Sequence, residues 1–263
     1  MLRLEAIHKT FFPGTVNERL ALVDVDLHLE PRDFATVIGS NGAGKSTLLN
    51  VVSGSIRSDS GKVTIDGRDV TRLTDFQRAA YIGRVFQNPS AGTAPHMTIE
   101  ENLAMALERG KRRMLRLGVT KAKRERFRQE LTVLEQGLEN RLHDWVGLLS
   151  GGQRQSLSLL MATFSQPQIL LLDEHTAALD PQRAALVTRL TKELVEEHHL
   201  TTLMVTHNMK QALQLGNRLI MMHAGRIVLD VRDDVKAGME PGDLMAEFQK
   251  IKDAELSDST LLQ

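Results

Sequence analysis

The sequence predicts an α/β fold built on a parallel sheet with helices on its faces. Three short apolar runs, at residues 34–38, 169–172 and 201–205, have the length of buried strands. Segments with apolar residues at helical spacing separate these runs. Continuously apolar strands that alternate with helices are typical of a parallel sheet that is covered on both faces.

Antiparallel strands are also predicted, near the N-terminus and late in the chain. Residues 21–29 alternate apolar and polar side chains, as a half-buried strand does. The apolar residues 63–65 run into the pair Asp66-Gly67, which favours a two-residue hairpin loop. A second hairpin is predicted over residues 219–229.

The character of the chain changes between residues 89 and 159, where a helical insert is predicted. Thr98 and Glu101 form a capping box, the pattern that opens a helix. Further on, one continuous helix is predicted from four apolar residues at helical spacing: Phe127, Leu131, Leu134 and Leu138.

A basic cluster decorates the second helix of this insert, at Lys121, Lys123, Arg124, Arg126 and Arg128. It is either a solvated helix face or a patch that binds nucleic acid, and charge runs are more often solvated faces. The whole chain has 33 Lys and Arg against 33 Asp and Glu, a formal net charge of zero. A dedicated nucleic-acid binder usually carries a basic excess, so we expect no nucleic-acid partner.

Other features of the composition exclude further classes of site. The chain has no cysteine, which excludes disulfides and cysteine-based metal sites or nucleophiles. Its longest apolar run is strand-sized, short of the roughly 18 residues that a membrane span needs. The N-terminus lacks the pattern of a signal peptide. We therefore expect any work at a membrane to go through a partner.

The first chemical motif is a glycine-rich loop between a predicted strand and a predicted helix. The pattern G-x-x-x-x-G-K-[ST] is matched by Gly39, Ser40, Asn41, Gly42, Ala43, Gly44, Lys45 and Ser46, and Thr47 follows. In such a loop the backbone N–H groups surround nucleotide phosphates, Lys45 adds positive charge and Ser46 can ligate Mg²⁺. Residues 39–47 are therefore predicted to bind a nucleotide.

An acidic pair ends the second of the buried strands. Asp173 lies at the carboxyl edge of the predicted sheet, where the phosphate loop also opens. Its carboxylate suits a magnesium site, directly or through water. Glu174 projects differently and suits a general base that orients or deprotonates water. An acidic strand end without a role is the alternative, and the neighbouring phosphate loop favours the functional interpretation.

A second anion-binding pattern precedes an apolar helix at Ser150, Gly151 and Gly152. Exposed N–H groups and the helix dipole attract phosphate at such a helix start. The same residues equally predict an ordinary N-cap followed by loop glycines. The residues alone leave both interpretations open. A chain with a single nucleotide site would have no use for a second phosphate-binding segment.

Taken in order, these motifs resemble the ATP-binding cassette (ABC) family over nearly the whole chain. The glycine-rich loop corresponds to the Walker A motif, and residues 149–153 correspond to the LSGGQ signature. Gln87 is placed as the Q-loop glutamine, Asp180 as the D-loop aspartate and His207 as the switch histidine. The order of these elements is specific to that family.

The resemblance implies a P-loop NTPase fold of the ABC ATPase type. Such a fold has a RecA-like parallel sheet core, an N-terminal antiparallel β subdomain and an inserted α-helical subdomain. Residues 1–263 would form a single nucleotide-binding domain. Its expected parts are the RecA-like and β core at 1–88 and 160–232, the helical subdomain with the signature at 89–159, and a C-terminal helix and tail at 233–263.

The resemblance also implies how ATP is bound. Two copies of the chain would pack head to tail as a homodimer, with the Walker A loop of one copy and the signature of the other on each ATP. Phe11 is the expected aromatic residue against adenine, with Phe12 as the alternative. The expected contributions from the second copy are those of Ser150, Gly151, Gly152, Gln153 and Asp180.

Roles in hydrolysis follow from the same resemblance. Glu174 would be the general base, and His207 would hold the γ-phosphate and position the water. Gln87 would sense Mg²⁺, for which Ser46 and Asp173 are the other expected ligands. The implied activity is ATP hydrolysis coupled to transport across a membrane.

Departures from the usual family wording, such as His175 directly after Glu174, resemble one subgroup of bacterial importers. The chain would then be a peripheral ATPase at the cytoplasmic face of the inner membrane. Its partners would be an integral-membrane permease and an extracytoplasmic substrate-binding lipoprotein, with amino acids, aromatic ones included, as substrates. The alternatives are the ATPase of an ABC exporter or lipid extractor, and a soluble non-transport ABC ATPase.

Overall fold

The computed structural model describes residues 1–111 and 118–261 of the chain. Its strands are β1 (Leu2–Phe11), β2 (Arg19–Leu29), β3 (Phe34–Gly39), β4 (Ser60–Ile65), β5 (Arg68–Asp69), β6 (Ile82–Val85), β7 (Ile169–Asp173), β8 (Thr201–Val205), β9 (Arg218–His223) and β10 (Arg226–Arg232). Its α-helices are α1 (Lys45–Ser53), α2 (Asp75–Arg78), α3 (Ile99–Leu107), α4 (Lys121–Thr132), α5 (Gly151–Thr163), α6 (Pro181–Glu197), α7 (Met209–Gln214), α8 (Asp233–Ala237) and α9 (Pro241–Leu261). Residues 112–117 of the predicted insert and 262–263 of the predicted tail lie outside the described residues.

The strands form two sheets. The larger sheet has six strands in the order β10-β9-β3-β8-β7-β6, and its neighbours pair in parallel except for the β9–β10 hairpin. The smaller sheet has the order β2-β1-β4-β5 and is antiparallel throughout. The predicted parallel core and the N-terminal antiparallel part are therefore both confirmed.

The continuous apolar character of β7 follows from burial on both faces of the larger sheet. Leu170 and Leu172 point into a core shared with α5, α6 and the helical insert. Ile169 and Leu171 point to the opposite side, into a core shared with α1 and the smaller sheet. Since successive side chains of a strand face opposite ways, only an apolar run satisfies both cores.

The smaller sheet contains the predicted tight hairpin. Ile65 pairs with Arg68 across the loop Asp66-Gly67. Both loop residues have positive φ, 49° and 74°, as a type I′ turn requires. The second predicted hairpin forms between β9 and β10.

The helical insert matches its prediction at one end and differs at the other. Thr98 caps α3 with a complete capping box to Glu101, as predicted. The prediction of one helix running as far as Leu138 is wrong, because α4 ends at Thr132. Glu135 and Gly137 both adopt positive φ and turn the chain there. Four apolar side chains of the predicted helix are nevertheless buried in one core: Phe127, Leu131, Leu134 and Leu138.

Ion pairs surround the basic cluster of α4. Arg124 pairs with Glu100 at 2.6 Å, and Lys123 pairs with Glu108 at 2.9 Å. The cluster is thus partly neutralised by acidic residues of the same insert.

The expected division of the chain at residues 88/89, 159/160 and 232/233 stays a prediction. Helix α5 runs across the second of these boundaries without a break. Leu244 of α9 is buried against Ile38 and Met221 of the larger sheet, so the C-terminal helix packs on the core. In the described part of the chain, no helix combines the length and the apolar character that crossing a membrane requires.

Candidate active site

The phosphate loop connects β3 to α1 at the carboxyl edge of the larger sheet. Two of its glycines are required by close contacts. A Cβ on Gly39 would lie 2.3 Å from the carbonyl oxygen of Met222, and one on Gly44 would lie 2.3 Å from that of Ala21. Gly44 also has a φ of 100°, which side chains rarely adopt. The loop can therefore reach its conformation only with glycine at these positions.

The ammonium group of Lys45 lies inside its own loop. It donates to the carbonyl oxygens of Gly39 at 2.7 Å and Ser40 at 2.9 Å. Burial lowers the pKa of Lys45, and the negative charges of Glu174 and Asp173 partly oppose that shift. The lysine is thus a desolvated cation close to both carboxylates.

The remaining loop residues present polar groups at the start of α1. Asn41, Gly42 and Ser46 are exposed, whereas Thr47 is half-buried and Ala43 is buried. Gly44 occupies the N-cap position of α1 without a side-chain cap, so the first N–H groups of the helix have no capping side chain. This arrangement suits binding of an anion.

Asp173 and Glu174 leave the sheet at the same edge as the phosphate loop. Asp173 is the last residue of β7 and pairs with Val205 of β8. Burial raises the pKa of the Asp173 carboxyl, and Arg84, 3.1 Å away, is the first of the charges that oppose this shift. Glu174 follows with a φ of 43°, a left-handed backbone conformation that residues other than glycine rarely adopt.

Glu174 forms the centre of a three-residue cluster. Its Oε2 accepts a hydrogen bond from Gln87 Nε2 at 3.2 Å and lies 3.4 Å from His207 Nδ1. The Glu174 side chain is 20% exposed and that of His207 is 61% exposed. The structure thus brings together the three side chains that the sequence places in catalytic roles, from three separate loops.

The aromatic candidates lie next to the phosphate loop. Phe11 ends β1 and pairs with Arg19 of β2, whose Nη2 donates to the carbonyl oxygen of Gly42 at 3.2 Å. Phe11 is half-buried, whereas Phe12 is exposed and has a positive φ. Phe11 therefore has the fixed position and a close connection to the loop.

The signature residues lie at the start of α5. Ser150 is the N-cap, and Gln153 completes a capping box with it. Gly151 is exposed, and Gly152 is covered by the side chain of Arg183. Asp180 caps α6 and pairs with the same Arg183 at 3.2 Å. The signature and Asp180 thus both contact Arg183 in this chain.

One buried glutamine that the sequence did not single out connects two loops of the site. Gln211 Nε2 donates to Thr176 Oγ1 at 3.2 Å and to Thr188 Oγ1 at 3.0 Å. Its Oε1 accepts from Thr206 at 2.9 Å. Gln211 therefore holds the loop after β7 against the loop after β8 and against α6. Its one sequence signal is its position three residues after Asn208, the N-cap of α7.

His175, directly after Glu174, is buried and bonded to α6. Its Nε2 lies 2.9 Å from Thr191 Oγ1, and that hydroxyl donates to the carbonyl oxygen of Val187 at 2.8 Å. The imidazole therefore donates from Nε2. Burial lowers its pKa to about 4, so it is neutral near neutral pH. The motifs in the sequence did not predict this buried hydrogen bond between His175 and α6.

The segment around Gln87 is tied to the signature helix by side chains that belong to none of the motifs. Gln155 Nε2 donates to the carbonyl oxygen of Phe86 at 3.1 Å, and Arg154 Nη1 donates to Ser90 Oγ at 2.9 Å. Gln155 is fully buried, so this connection is an internal one. The sequence does not distinguish Gln155, because α5 buries other polar residues as well, Ser156 and Ser158 among them.

Sequence comparison places the chain among ABC transporter proteins. The profile of the family described as ABC transporter matches residues 22–177. A tyrosine transport ATP-binding protein of Clostridioides difficile is 44% identical over 254 residues, which cover 95% of this chain and 99% of that protein. The sulfate/thiosulfate import ATP-binding protein CysA of Nocardia farcinica is 39% identical over 79% of this chain, and the match spans 59% of its own length.

Structural comparison gives the same result. An ATP-binding cassette solved as a dimer in a post-hydrolysis state, bound to ADP and Pi, superimposes with a TM-score of 0.76 and is 30% identical. The match covers 88% of this chain and 98% of that structure. The phosphate loop and acidic strand end described above lie within the matched family region. The chain therefore belongs to the ABC transporter family and is an ATP-binding, ATP-hydrolysing subunit.

Proposed function

We propose that this chain powers the import of an amino acid of the tyrosine class through a separate membrane permease. The observation that carries this proposal is the match to a tyrosine transport ATP-binding protein over 99% of that protein's length. The match to the sulfate importer subunit spans 59% of its length and supports a sulfate substrate less well. A methionine import subunit is matched at 35% identity over 60% of its length, so it weighs no more than the sulfate match.

In the proposed site, ATP binds along the phosphate loop with its adenine against Phe11. The N–H groups of residues 39–47 surround the phosphates, and the ammonium of Lys45 exchanges its two carbonyl partners for phosphate oxygens. This exchange is favourable because a buried cation gains more from an anion than from neutral carbonyls. Phe12 lies one residue beyond the end of β1 and is 66% exposed, so the sheet does not hold it in place as it holds Phe11.

The residues present also fit a magnesium ion. The hydroxyl of Ser46 is exposed at the first turn of α1, and the carboxyl of Asp173 is close enough to Lys45 to affect its pKa. Mg²⁺ in nucleotide sites needs only one or two such protein ligands, since phosphates and waters complete its shell. Bound with ATP, the ion would neutralise phosphate charge. Gln87 is the third proposed contact of the ion.

Glu174 is the proposed general base. Its Oε2 is held by Gln87 and lies beside His207, so its orientation is fixed while part of it stays open to solvent. His207 is proposed to contact the γ-phosphate and to position the attacking water. Gln87 lies at the start of the segment that is hydrogen-bonded to α5. We propose that it couples the state of the ATP site to the position of that helix.

We further propose that two copies form a head-to-tail homodimer. The dimeric state of the cassette bound to ADP and Pi supports this arrangement. Ser150, Gly151, Gly152, Gln153 and Asp180 would then complete the ATP site of the other copy. The dimer would act at the cytoplasmic face of the membrane with an extracytoplasmic binding protein on the other side.

Uptake of labelled amino acids in cells that lack this gene tests the proposed function. Tyrosine uptake is expected to fall on deletion, to return with the wild-type gene and to stay low with the Glu174→Gln variant. A parallel pull-down of Glu174→Gln with ATP from native membranes is expected to recover a multi-span permease and an extracytoplasmic binding protein.

The other outcomes are equally informative. Unchanged amino-acid uptake together with lost sulfate uptake would show that the substrate is sulfate and not an amino acid. Accumulation of a solute on deletion would indicate export. Recovery of soluble partners alone, with normal uptake, would overturn the transport proposal and leave the ATPase assignment in place.

A further inference from the structure

The roles above do not use Arg84, a largely buried cation that contacts Asp173 of the proposed magnesium site. It lies on β6, and its side chain is 13% exposed. Its Nη2 donates to Asp173 Oδ2 at 3.1 Å. This hydrogen bond joins one nitrogen to one oxygen, and Oδ1 of Asp173 takes no part in it.

Two further contacts fix the guanidinium. Nη1 donates at 3.1 Å to the hydroxyl of Ser53, the last residue of α1. The group also stacks on Phe86, with 4.6 Å between the guanidinium carbon and the ring centroid. Phe86 directly precedes Gln87 in the chain. Arg84 therefore connects the phosphate-loop helix, the end of β7 and the Gln87 segment.

One nitrogen of the Arg84 guanidinium has no hydrogen-bond partner in the part of the chain that the structure describes. Its Nε is buried and has no partner among the described residues. An unsatisfied buried N–H costs free energy, and a buried charge costs more unless it is paired. The ion pair with Asp173 is thus the contact that offsets the cost of burying the cation. The same ion pair also constrains the Asp173 carboxylate.

The ion pair with Arg84 fixes the orientation of the Asp173 carboxylate. A carboxylate with no partner can rotate and present either oxygen, whereas one held by an arginine at Oδ2 presents Oδ1. Partners that orient a metal ligand commonly change metal affinity or activity by about 10- to 100-fold when they are removed. The stacked, hydrogen-bonded guanidinium of Arg84 is suited to this function because three contacts hold it in place.

We propose that Arg84 is a positioning residue for magnesium, which holds Asp173 by Oδ2 so that Oδ1 is presented to the ion of the Mg²⁺–ATP complex. This inference rests on the proposed function, in which Asp173 binds Mg²⁺. It predicts that Arg84 affects the magnesium-dependent part of nucleotide binding and leaves the magnesium-free part unchanged.

The test compares the dissociation constant of a non-hydrolysable ATP analogue in excess EDTA and in excess Mg²⁺. Arg84→Met, which keeps the length and removes the charge, is expected to lose roughly tenfold or more of the gain that Mg²⁺ gives the wild type. Its constant in EDTA is expected to stay within about twofold of wild type, since phosphate-loop contacts are intact. Arg84→Lys, which cannot reach Ser53 and Asp173 with one planar group, is expected to lie in between.

Two controls separate the possible failures. Arg68→Met removes an exposed arginine that also stacks on a ring, that of Tyr81, and it is expected to behave as wild type. Asp173→Asn is expected to lose the magnesium gain. If Asp173→Asn keeps the gain, the proposed role of Asp173 is wrong. If Asp173→Asn loses it while Arg84→Met keeps it, or if Arg84→Met weakens binding equally in EDTA, the inference about Arg84 is overturned and the proposed function stands.

Discussion

Gln87 Nε2 donates a hydrogen bond to Glu174 Oε2 over 3.2 Å, across 87 residues of sequence. The backbone ahead of Gln87 is bonded in turn to Gln155 of the signature helix. A displacement of the signature helix would therefore be transmitted to the residue proposed as the general base. This relationship connects the part of the chain that would meet a second copy with the part that would hydrolyse ATP.

Glu174→Gln is expected to lower the ATPase rate by at least about 100-fold while ATP still binds. The amide keeps the size of the side chain and its contact with Gln87, but it cannot accept a proton from water. ATP-bound dimers are expected to accumulate, which gel filtration with and without ATP measures. Glu196→Gln on α6, an exposed carboxylate, is the control. A Glu174→Gln protein with the wild-type rate would remove Glu174 as the base.

Lys45→Ala is expected to weaken ATP binding by more than about tenfold, or 1.4 kcal/mol, because the phosphates lose a desolvated cation. Titration with a fluorescent ATP analogue measures the change. Lys192→Ala removes an exposed lysine whose nearest carboxylate, that of Glu196, is 3.9 Å away, and is expected to leave binding unchanged. Tight binding retained by Lys45→Ala would refute the assignment of the phosphate loop.

Ser150→Arg is expected to spare ATP binding by the monomer and to abolish ATP-dependent dimerisation and turnover. A long cation at this helix start would block a partner copy, and the lost N-cap alone would cost only about 1 kcal/mol. Thr120→Arg removes the equivalent cap of α4 and controls for that cost. ATPase activity and light scattering report the outcome. If Ser150→Arg hydrolyses ATP normally, the head-to-tail dimer is wrong.

Local patterns predicted much of the fold, and long-range contacts were not predictable from them. The strand ending at Gly39 and the capping box of Thr98 depend on neighbouring residues, so both were predictable. The end of α4 was not, since Leu134 continues the apolar spacing after the helix has stopped. The roles of Arg84 and His175 were not predictable either, because their partners lie 89 and 16 residues away and only folding brings them together.

His175 is expected to make folding stability depend on pH below neutrality. Burial lowers its pKa from the ordinary 6.5 to about 4 in the folded protein, so the unfolded chain binds a proton first as the pH falls. The stabilisation is complete above pH 6.5 and is lost as the pH falls to 4, a change of about 3 kcal/mol. Urea unfolding of wild type and His175→Gln across this range measures it.

The glutamine variant can still donate to Thr191 but does not titrate, so its stability is expected to fall less over the same range. His96→Gln, at an exposed histidine, is expected to follow the wild type. If wild type and His175→Gln lose stability in parallel, the buried imidazole is not the group responsible.

Arg78→Met is expected to destabilise the fold by about 3 kcal/mol or more. Arg78 is 1% exposed, and burial lowers its pKa to about 10. Its Nη1 donates at 2.7 and 2.8 Å to the carbonyl oxygens of Val51 and Val52, in the last turn of α1. Methionine fills the space but leaves these acceptors, and those of Leu73 and Thr71, without the donors they now have.

Helix α1 begins at the phosphate loop, and its last turn contacts Arg78. The Arg78→Met variant therefore also tests whether the C-terminal end of α1 affects ATP binding. The carbonyl ends of a helix favour a cation, so Arg78 stabilises α1 as a whole. Folded Arg78→Met protein is expected to bind ATP as wild type does, because the loop contacts of Lys45 lie at the other end of the helix. Arg72→Met, at an exposed arginine nearby, is expected to change stability by less than about 0.5 kcal/mol. A variant of Arg78 that unfolds at the wild-type urea concentration would show that the four carbonyl contacts contribute nothing net.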